Sequence, residues 1–309
     1  MIEHAAFASW VSPEAQATFR IEADAPRPPN SDIATLREHY DAYNRCHLAT
    51  ALDHYLVEIT RSSLGGVAVD IVQPEGGTTN ENILLCLHGG AFMWGRGAGA
   101  LLEAVPVAAT SGSKVIAVEY ALAPEAVFPT AVDDVLAVYN ALQKTTPASR
   151  IGIYGCSAGG VLTAQTVARL IAEKQPLPGA IAMFCGTGLE MVGDSAATVG
   201  ALTGQVDAAA PDLAALPYFS GTSTNDPLVI PGHDADALSA FPPSLLVTGT
   251  RDFAASSVMT MHRRLRAAGA EADLVCFDGM WHAFHMATTL PEAREAFAAV
   301  THFFNRHLD

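Results

Sequence analysis

The chain has 309 residues, 50% hydrophobic and only 16% charged, enough to bury a substantial core in one large domain with a small appendage. Its formal charge of −15 argues against nucleic acid or an anionic membrane as partner, because phosphate-rich surfaces would be repelled, whereas an uncharged small molecule meets no such barrier. Five cysteines at positions 46, 86, 156, 185 and 276 lack C-x-x-C spacing, Met1–Phe7 has no basic region leading into an apolar stretch, and no apolar run is long enough to span a bilayer. A reduced, cytoplasmic protein that does not enter membranes is expected, with no metal site, since neither H-E-x-x-H nor a Cys/His cluster is present.

In chain order, the first sixty residues stand apart. Ser12-Pro-Glu and Asn30-Ser-Asp are helix-start signals flanking the proline-rich Ala25–Pro29, and helical periodicity continues through Leu36, Tyr40 and Tyr43. This segment reads as part of a lid. From Val67 onward, apolar runs alternate with helical stretches: Val67–Val72, Ile83–Leu87, Val115–Val118, Ile151–Tyr154, Ala180–Phe184, Leu245–Thr248 and Leu274–Phe277. That alternation predicts a mostly parallel sheet covered on both faces. Between Gly186 and Pro242 the pattern breaks into Gly/Ala/Asp-rich pieces, the most apolar being Leu213–Phe219, and an insertion packing on the amino-terminal helices is expected there.

Chemistry-bearing residues fall at the ends of these strands. Ile83–Leu87 runs into His88-Gly89-Gly90-Ala91-Phe92, where consecutive small residues free backbone N–H groups to face a developing oxyanion. Ile151–Tyr154 runs into Gly155-Cys156-Ser157-Ala158-Gly159 and then the helical Val161–Ala172, the strand-turn-helix context of a nucleophile elbow. Gly89, Gly90, Ala91 and Ala158 are the expected oxyanion donors. Downstream, Asp252 follows the strand ending at Gly249, and His282 follows Gly279-Met-Trp281 in the loop after the last strand, the order acid then histidine. Ser157 as nucleophile, His282 as base and Asp252 as orienting acid make one constellation. Phe92, Trp94, Tyr218, Phe219 and Trp281 lie beside these loops and are expected to shape an apolar pocket.

Other residues weigh less. His285 lies one turn from His282 and competes as base, and His88 reads as a brace for the oxyanion loop. Asp226 precedes the strand it would have to follow, Asp278 is too near His282 for comfortable pairing, and Asp133 and Asp134 read as a helix-start or solvated face. Cys156 reads as a small buried filler. Gly95-Arg-Gly97-Ala-Gly-Ala100, about twenty residues before Glu119, matches a dinucleotide fingerprint, which makes an NAD-dependent oxidoreductase one alternative. Yet His88–Trp94 separate it from the strand it should follow directly. A catalytically silent small-molecule binding protein on the same fold is the other.

His88-Gly-Gly, Glu119-Tyr-Ala-Leu-Ala-Pro-Glu125 with Phe128-Pro129, Gly155-Cys-Ser-Ala-Gly-Gly160, Asp252 and His282 together resemble the hormone-sensitive-lipase-like (family IV) carboxylesterases. The resemblance runs from about Gly65 to the carboxyl terminus. It implies an α/β-hydrolase fold, a mostly parallel central sheet flanked by helices with a helical cap. It also implies a serine esterase for short-chain, largely uncharged esters, needing no cofactor. On that basis residues 1–60 are the amino-terminal part of the cap, 61–185 and 243–309 the catalytic core, and 186–242 the cap insertion. Three positions depart from the family pattern: Ala91 replaces the last oxyanion glycine, Cys156 stands where Asp is commoner, and Arg251-Asp252-Phe253 replaces Asp-Pro-Leu. Oligomeric state, a homodimer included, is left open.

Overall fold

The computed structural model describes residues 5–25, 32–203 and 212–309. Residues 1–4 at the amino terminus, the prolines at 26, 28 and 29 and the Asn30–Ser31 half of the second helix-start signal lie outside them.

Both expected amino-terminal helices are present. Ser12 caps α1 (Pro13–Asp24) by accepting the Ala15 N–H, and Asp32 caps α2 (Ile33–His54) by accepting from Ala34 and Thr35, so each helix start satisfies donors that have no partner inside the helix. Then follow β1 (Val57–Leu64), β2 (Val67–Pro74), β3 (Ile83–Leu87), α3 (Ala98–Ser111), β4 (Lys114–Val118), α4 (Thr130–Leu142), β5 (Ile151–Cys156), α5 (Ala158–Ala172), β6 (Ala180–Phe184), α6 (Asp194–Thr203), α7 (Ala235–Ser239), β7 (Ser244–Arg251), α8 (Ala255–Ala267), β8 (Ala272–Trp281) and α9 (Pro291–His307).

The strands form one sheet in the order β1-β2-β4-β3-β5-β6-β7-β8. Strands β3 to β8 pair in parallel, whereas β1 with β2 and β2 with β4 are antiparallel. Every residue of β5 and β6 is buried, the condition under which a strand reads as a continuous apolar run. Strand β1 was not expected. It is an edge strand, mostly exposed, and carries Arg61, which pairs with Asp70 at 2.8 Å; its half-polar face has no buried run to betray it.

Two cores flank the sheet. One gathers side chains from α4, α5 and α8 (Val135, Leu162, Met261); the other gathers those of α1, α3 and α9 (Phe19, Leu102, Phe304). Leu213, Tyr218, Phe219, Ile230 and Phe241, from between β6 and β7, all join the first core, while Val11, Phe19 and Ala51 of the amino-terminal segment join the second. These described residues of the insertion and of the amino-terminal segment thus pack into different cores. Residues of both segments line one cavity, Val199 of α6 and Tyr40 and Tyr43 of α2 among them.

Candidate active site

The loops after β3, β5, β7 and β8 meet at one end of the sheet, as parallel strands dictate. After β5 the backbone turns so sharply that Ser157 takes φ 53° and ψ −116°, a conformation that non-glycine residues adopt only under constraint. The constraint is visible. The Ser157 N–H donates to the Phe184 carbonyl at 2.8 Å, and the elbow presses on β3 so closely that a Cβ on Gly155 would stand 2.3 Å from the Leu87 carbonyl oxygen, and one on Gly159 only 1.7 Å.

Ser157 Oγ lies 3.0 Å from His282 Nε2, and His282 Nδ1 lies 2.7 Å from Asp252 Oδ1. Asp252 is completely buried, and its oxygens also accept the Ala254 N–H at 2.9 Å and the Thr248 hydroxyl at 2.8 Å. Burial alone would raise its pKa; the His282 charge and these hydrogen bonds outweigh that and hold the carboxyl below its ordinary value. Phe253 stacks on the His282 ring at 4.0 Å. His282 comes directly after β8, which extends to Trp281, so the expected loop at Gly279 is instead an irregularity within the paired strand, beside Phe7 and Val11.

Among the described residues no hydrogen bond takes the N–H of Gly90, Ala91 or Ala158. Gly89 differs. Its N–H donates to the buried Glu103 carboxyl at 2.7 Å, which removes Gly89 from the expected oxyanion donors. Gly90, Ala91 and Phe92 all have positive φ, and this turn directs the Phe92 ring away from the site. Phe92 is fully buried, stacked on Tyr218 at 4.1 Å with Phe219 against its edge, so these three expected pocket residues are core residues instead. Trp94 and Trp281 do line the cavity.

That cavity encloses about 580 Å³ over Ser157 and His282. Sequence reasoning missed much of its wall: Tyr40, Tyr43 and Asn44 of α2, Glu103 of α3, and Met286. Tyr40 stacks on Trp94 at 4.3 Å. Glu103 is 3% exposed, and burial pushes its pKa up to about 8 against the opposing pull of the Gly89 and Cys156 amides. At neutral pH it is mainly a neutral acid.

The competing residues fall elsewhere. His285 is buried against Phe184 and Phe297, which drives its pKa down to about 3 and keeps it neutral, away from Ser157. His88 stacks on Tyr120 at 4.2 Å with Nδ1 2.7 Å from the Gly89 carbonyl, a brace behind the loop. Asp278 accepts from Trp10 Nε1 and Thr250, Asp134 accepts the Ala121 N–H, and Asp226 caps the Leu228 amide. Cys156 is buried as expected. Glu119, which imitated a ribose-binding acid, accepts the Gly97 N–H at 2.7 Å and closes the loop before α3.

One grouping of metal-ligand type occurs among the described residues. Cys185, Asp252 and His282 place ligand atoms within 4.8 Å of one another, but the last two are bonded to each other. Cys156 lowers the Cys185 pKa, while burial and the Asp252 charge carry it up to about 11, so the thiol keeps its proton. No described helix is long and apolar enough to cross a membrane.

A family model described as alpha/beta hydrolase fold matches residues 84–286, which contain the oxyanion loop, the elbow, Asp252 and His282. The chain belongs to the α/β-hydrolase family. Within it, LipR of Mycobacterium tuberculosis, to which an acetyl-hydrolase activity is ascribed by name, is 31% identical over 253 residues, 80% of each chain. An acetyl-hydrolase of Streptomyces hygroscopicus is 29% identical over 216 residues, covering 69% of this chain and 72% of that one. The solved structure of esterase E25 superposes with a TM-score of 0.84 at 28% identity, covering 100% of this chain and 99% of the other. Another, from the bacterial hormone-sensitive lipase family, gives 0.81 at 26% identity over 96% and 99%. The α/β-hydrolase is thus of the hormone-sensitive-lipase-like esterase type.

Proposed function

We propose that this α/β-hydrolase is a serine carboxylesterase acting through an acyl-enzyme on short-chain, largely uncharged esters. The observation that carries the reading is the continuous hydrogen-bonded line from Ser157 Oγ through His282 to the buried Asp252, opening onto a cavity with free backbone donors. The acetyl-hydrolase names of two relatives support the short acyl chain.

In the first half-reaction His282 Nε2 takes the Ser157 proton as Oγ forms its bond to the ester carbonyl carbon. The carbonyl oxygen becomes an anion facing the N–H groups of Gly90, Ala91 and Ala158, at the positive end of α5. Collapse breaks the bond to the alcohol oxygen, which leaves with the proton from His282. Water then gives His282 a proton and attacks the acyl carbon, and Ser157 recovers its proton as the acid departs. Asp252 holds the His282 ring and offsets its transient charge throughout.

A chain-length series of p-nitrophenyl esters, with and without an organophosphonate, tests this. Turnover of the short esters, loss of activity on phosphonylation and a modified peptide containing Ser157 are expected; labelling elsewhere, or no turnover, refutes the reading.

A further inference from the structure

The cavity walls are mostly apolar, from Tyr40, Trp94, Val199, Phe253, Trp281 and Met286. Two polar side chains interrupt them on the side of α2 and α3. Asn44 is 6% exposed and lines the cavity, yet among the described residues no hydrogen bond takes its amide. Its amide is thus open to the cavity and available to a molecule bound there. Other polar groups of the wall are engaged at least in part: Tyr43 donates to Glu22 at 3.2 Å, and Arg251 Nη2 donates to the Ala5 and Ala6 carbonyls between Phe7 and Phe19, leaving Nη1 without a partner among the described residues.

The position of Asn44 is built. It sits where α2 crosses α3 at Gly99: a Cβ on Gly99 would stand 2.8 Å from Asn44 Nδ2, so any larger residue would displace the amide. One turn further along the same face of α3 lies Glu103. Its Oε1 comes within 3.4 Å of where a Gly89 Cβ would be, and Ser157 Cβ within 3.6 Å of the same point. A polar strip thus runs from Asn44 through Glu103 to the nucleophile.

We infer that Asn44 and Glu103 form a recognition subsite for a neutral hydrogen-bonding group, a hydroxyl, on the ester arm that lies along α2 and α3, so that the preferred substrates are hydroxylated short-chain esters. The inference rests on the serine-esterase reading of the same cavity. A hydroxyl can donate to Asn44 Oδ1 and accept from Nδ2, and the mainly neutral Glu103 can add a second bond without repelling it. An apolar isostere offers the Asn44 amide neither donor nor acceptor, so the hydroxylated ester is the one the subsite favours.

The test compares isosteric pairs on each arm: p-nitrophenyl 3-hydroxybutyrate against p-nitrophenyl 3-methylbutyrate, and 2-hydroxyethyl butyrate against propyl butyrate. One pair should show a kcat/KM ratio of about tenfold in favour of the hydroxylated ester, the worth of one satisfied hydrogen bond. Asn44→Leu should bring that ratio to about one, and Asn44→Ala serves equally where the leucine variant does not fold. Ratios are read within each protein, so a general loss of activity does not imitate the result. Wild-type ratios within about twofold of one for both pairs, or a preference that survives the loss of the amide, overturn the subsite and leave the esterase reading standing. If none of the four esters is hydrolysed, both fall.

Discussion

Glu103→Gln tests the electrostatics behind the oxyanion loop. The carboxyl is buried and accepts the Gly89 N–H, a bond that the glutamine oxygen can keep, so the exchange removes the ionisation together with the pull of the Cys156 amide, and only the first of these varies with pH. In the unfolded chain the carboxyl loses its proton near its ordinary value of 4.5; in the folded protein burial keeps it protonated until about 8. Between those values the folded state binds more protons than the unfolded one, so stability is lost as pH rises through that window, the reverse of an ion-paired carboxylate. Each unit is worth about 1.4 kcal/mol, which makes the cost of order 4 kcal/mol by pH 8. Urea unfolding of both proteins at steps from pH 5 to pH 8 should show the glutamine variant gaining on the wild type by about that amount. His88 and His285, whose pKa values burial depresses to about 4 and about 3, destabilise both proteins equally on the acid side and cancel in the difference. A stability difference that does not change with pH would refute the neutral buried acid.

Ser157→Ala should lower kcat by several orders of magnitude, and Asp252→Asn by about 10³- to 10⁴-fold, measured on p-nitrophenyl acetate, because the amide keeps the volume but not the charge facing His282. Phe253→Ala removes the ring stacked on His282 and should cost about tenfold in kcat with KM less affected, as a loosened base predicts. Gly159→Ala should abolish soluble expression, since the added methyl would meet the Leu87 carbonyl oxygen at 1.7 Å, with backbone on both sides. Ala91→Gly should raise the melting temperature by about 1–2 °C by relieving a φ of 51°, worth of order 1 kcal/mol.

What the sequence disclosed follows burial. Strands β3 and β6 carry the limits expected of them, because a strand covered on both faces must be apolar throughout and stops where that requirement stops. The elbow, the oxyanion loop, Asp252 and His282 were legible because each depends on local backbone form at a strand end. The cavity wall was not. Tyr40, Tyr43 and Asn44 recur at helical spacing and read as one face of an amphipathic helix; only the crossing of α2 over Gly99 turns that face into a wall of the site. Phe92, Tyr218 and Phe219 misled in the opposite sense. Their nearness to the catalytic loops in sequence is real, but three positive φ values in succession turn Phe92 into the core, and the others follow it.

The loss of the Gly89 N–H to Glu103 explains how the loop tolerates Ala91. An oxyanion hole needs donors fixed in space before charge develops, and fixing them falls here to the backbone of two distant segments. Leu87 pairs with Gly155 across β3 and β5, which sets the end of one strand against the elbow of the other. Glu103 then holds Gly89 from behind, His88 closes on the Gly89 carbonyl, and the Tyr120 hydroxyl donates to the His88 carbonyl at 2.6 Å. With the loop pinned at its base by these bonds, the strained φ at Ala91 is imposed rather than chosen, and a glycine is no longer required to reach it. The side chain at position 91 therefore matters less to the hole than Glu103 does, although nothing in the sequence near His88 points to a glutamate fifteen residues on.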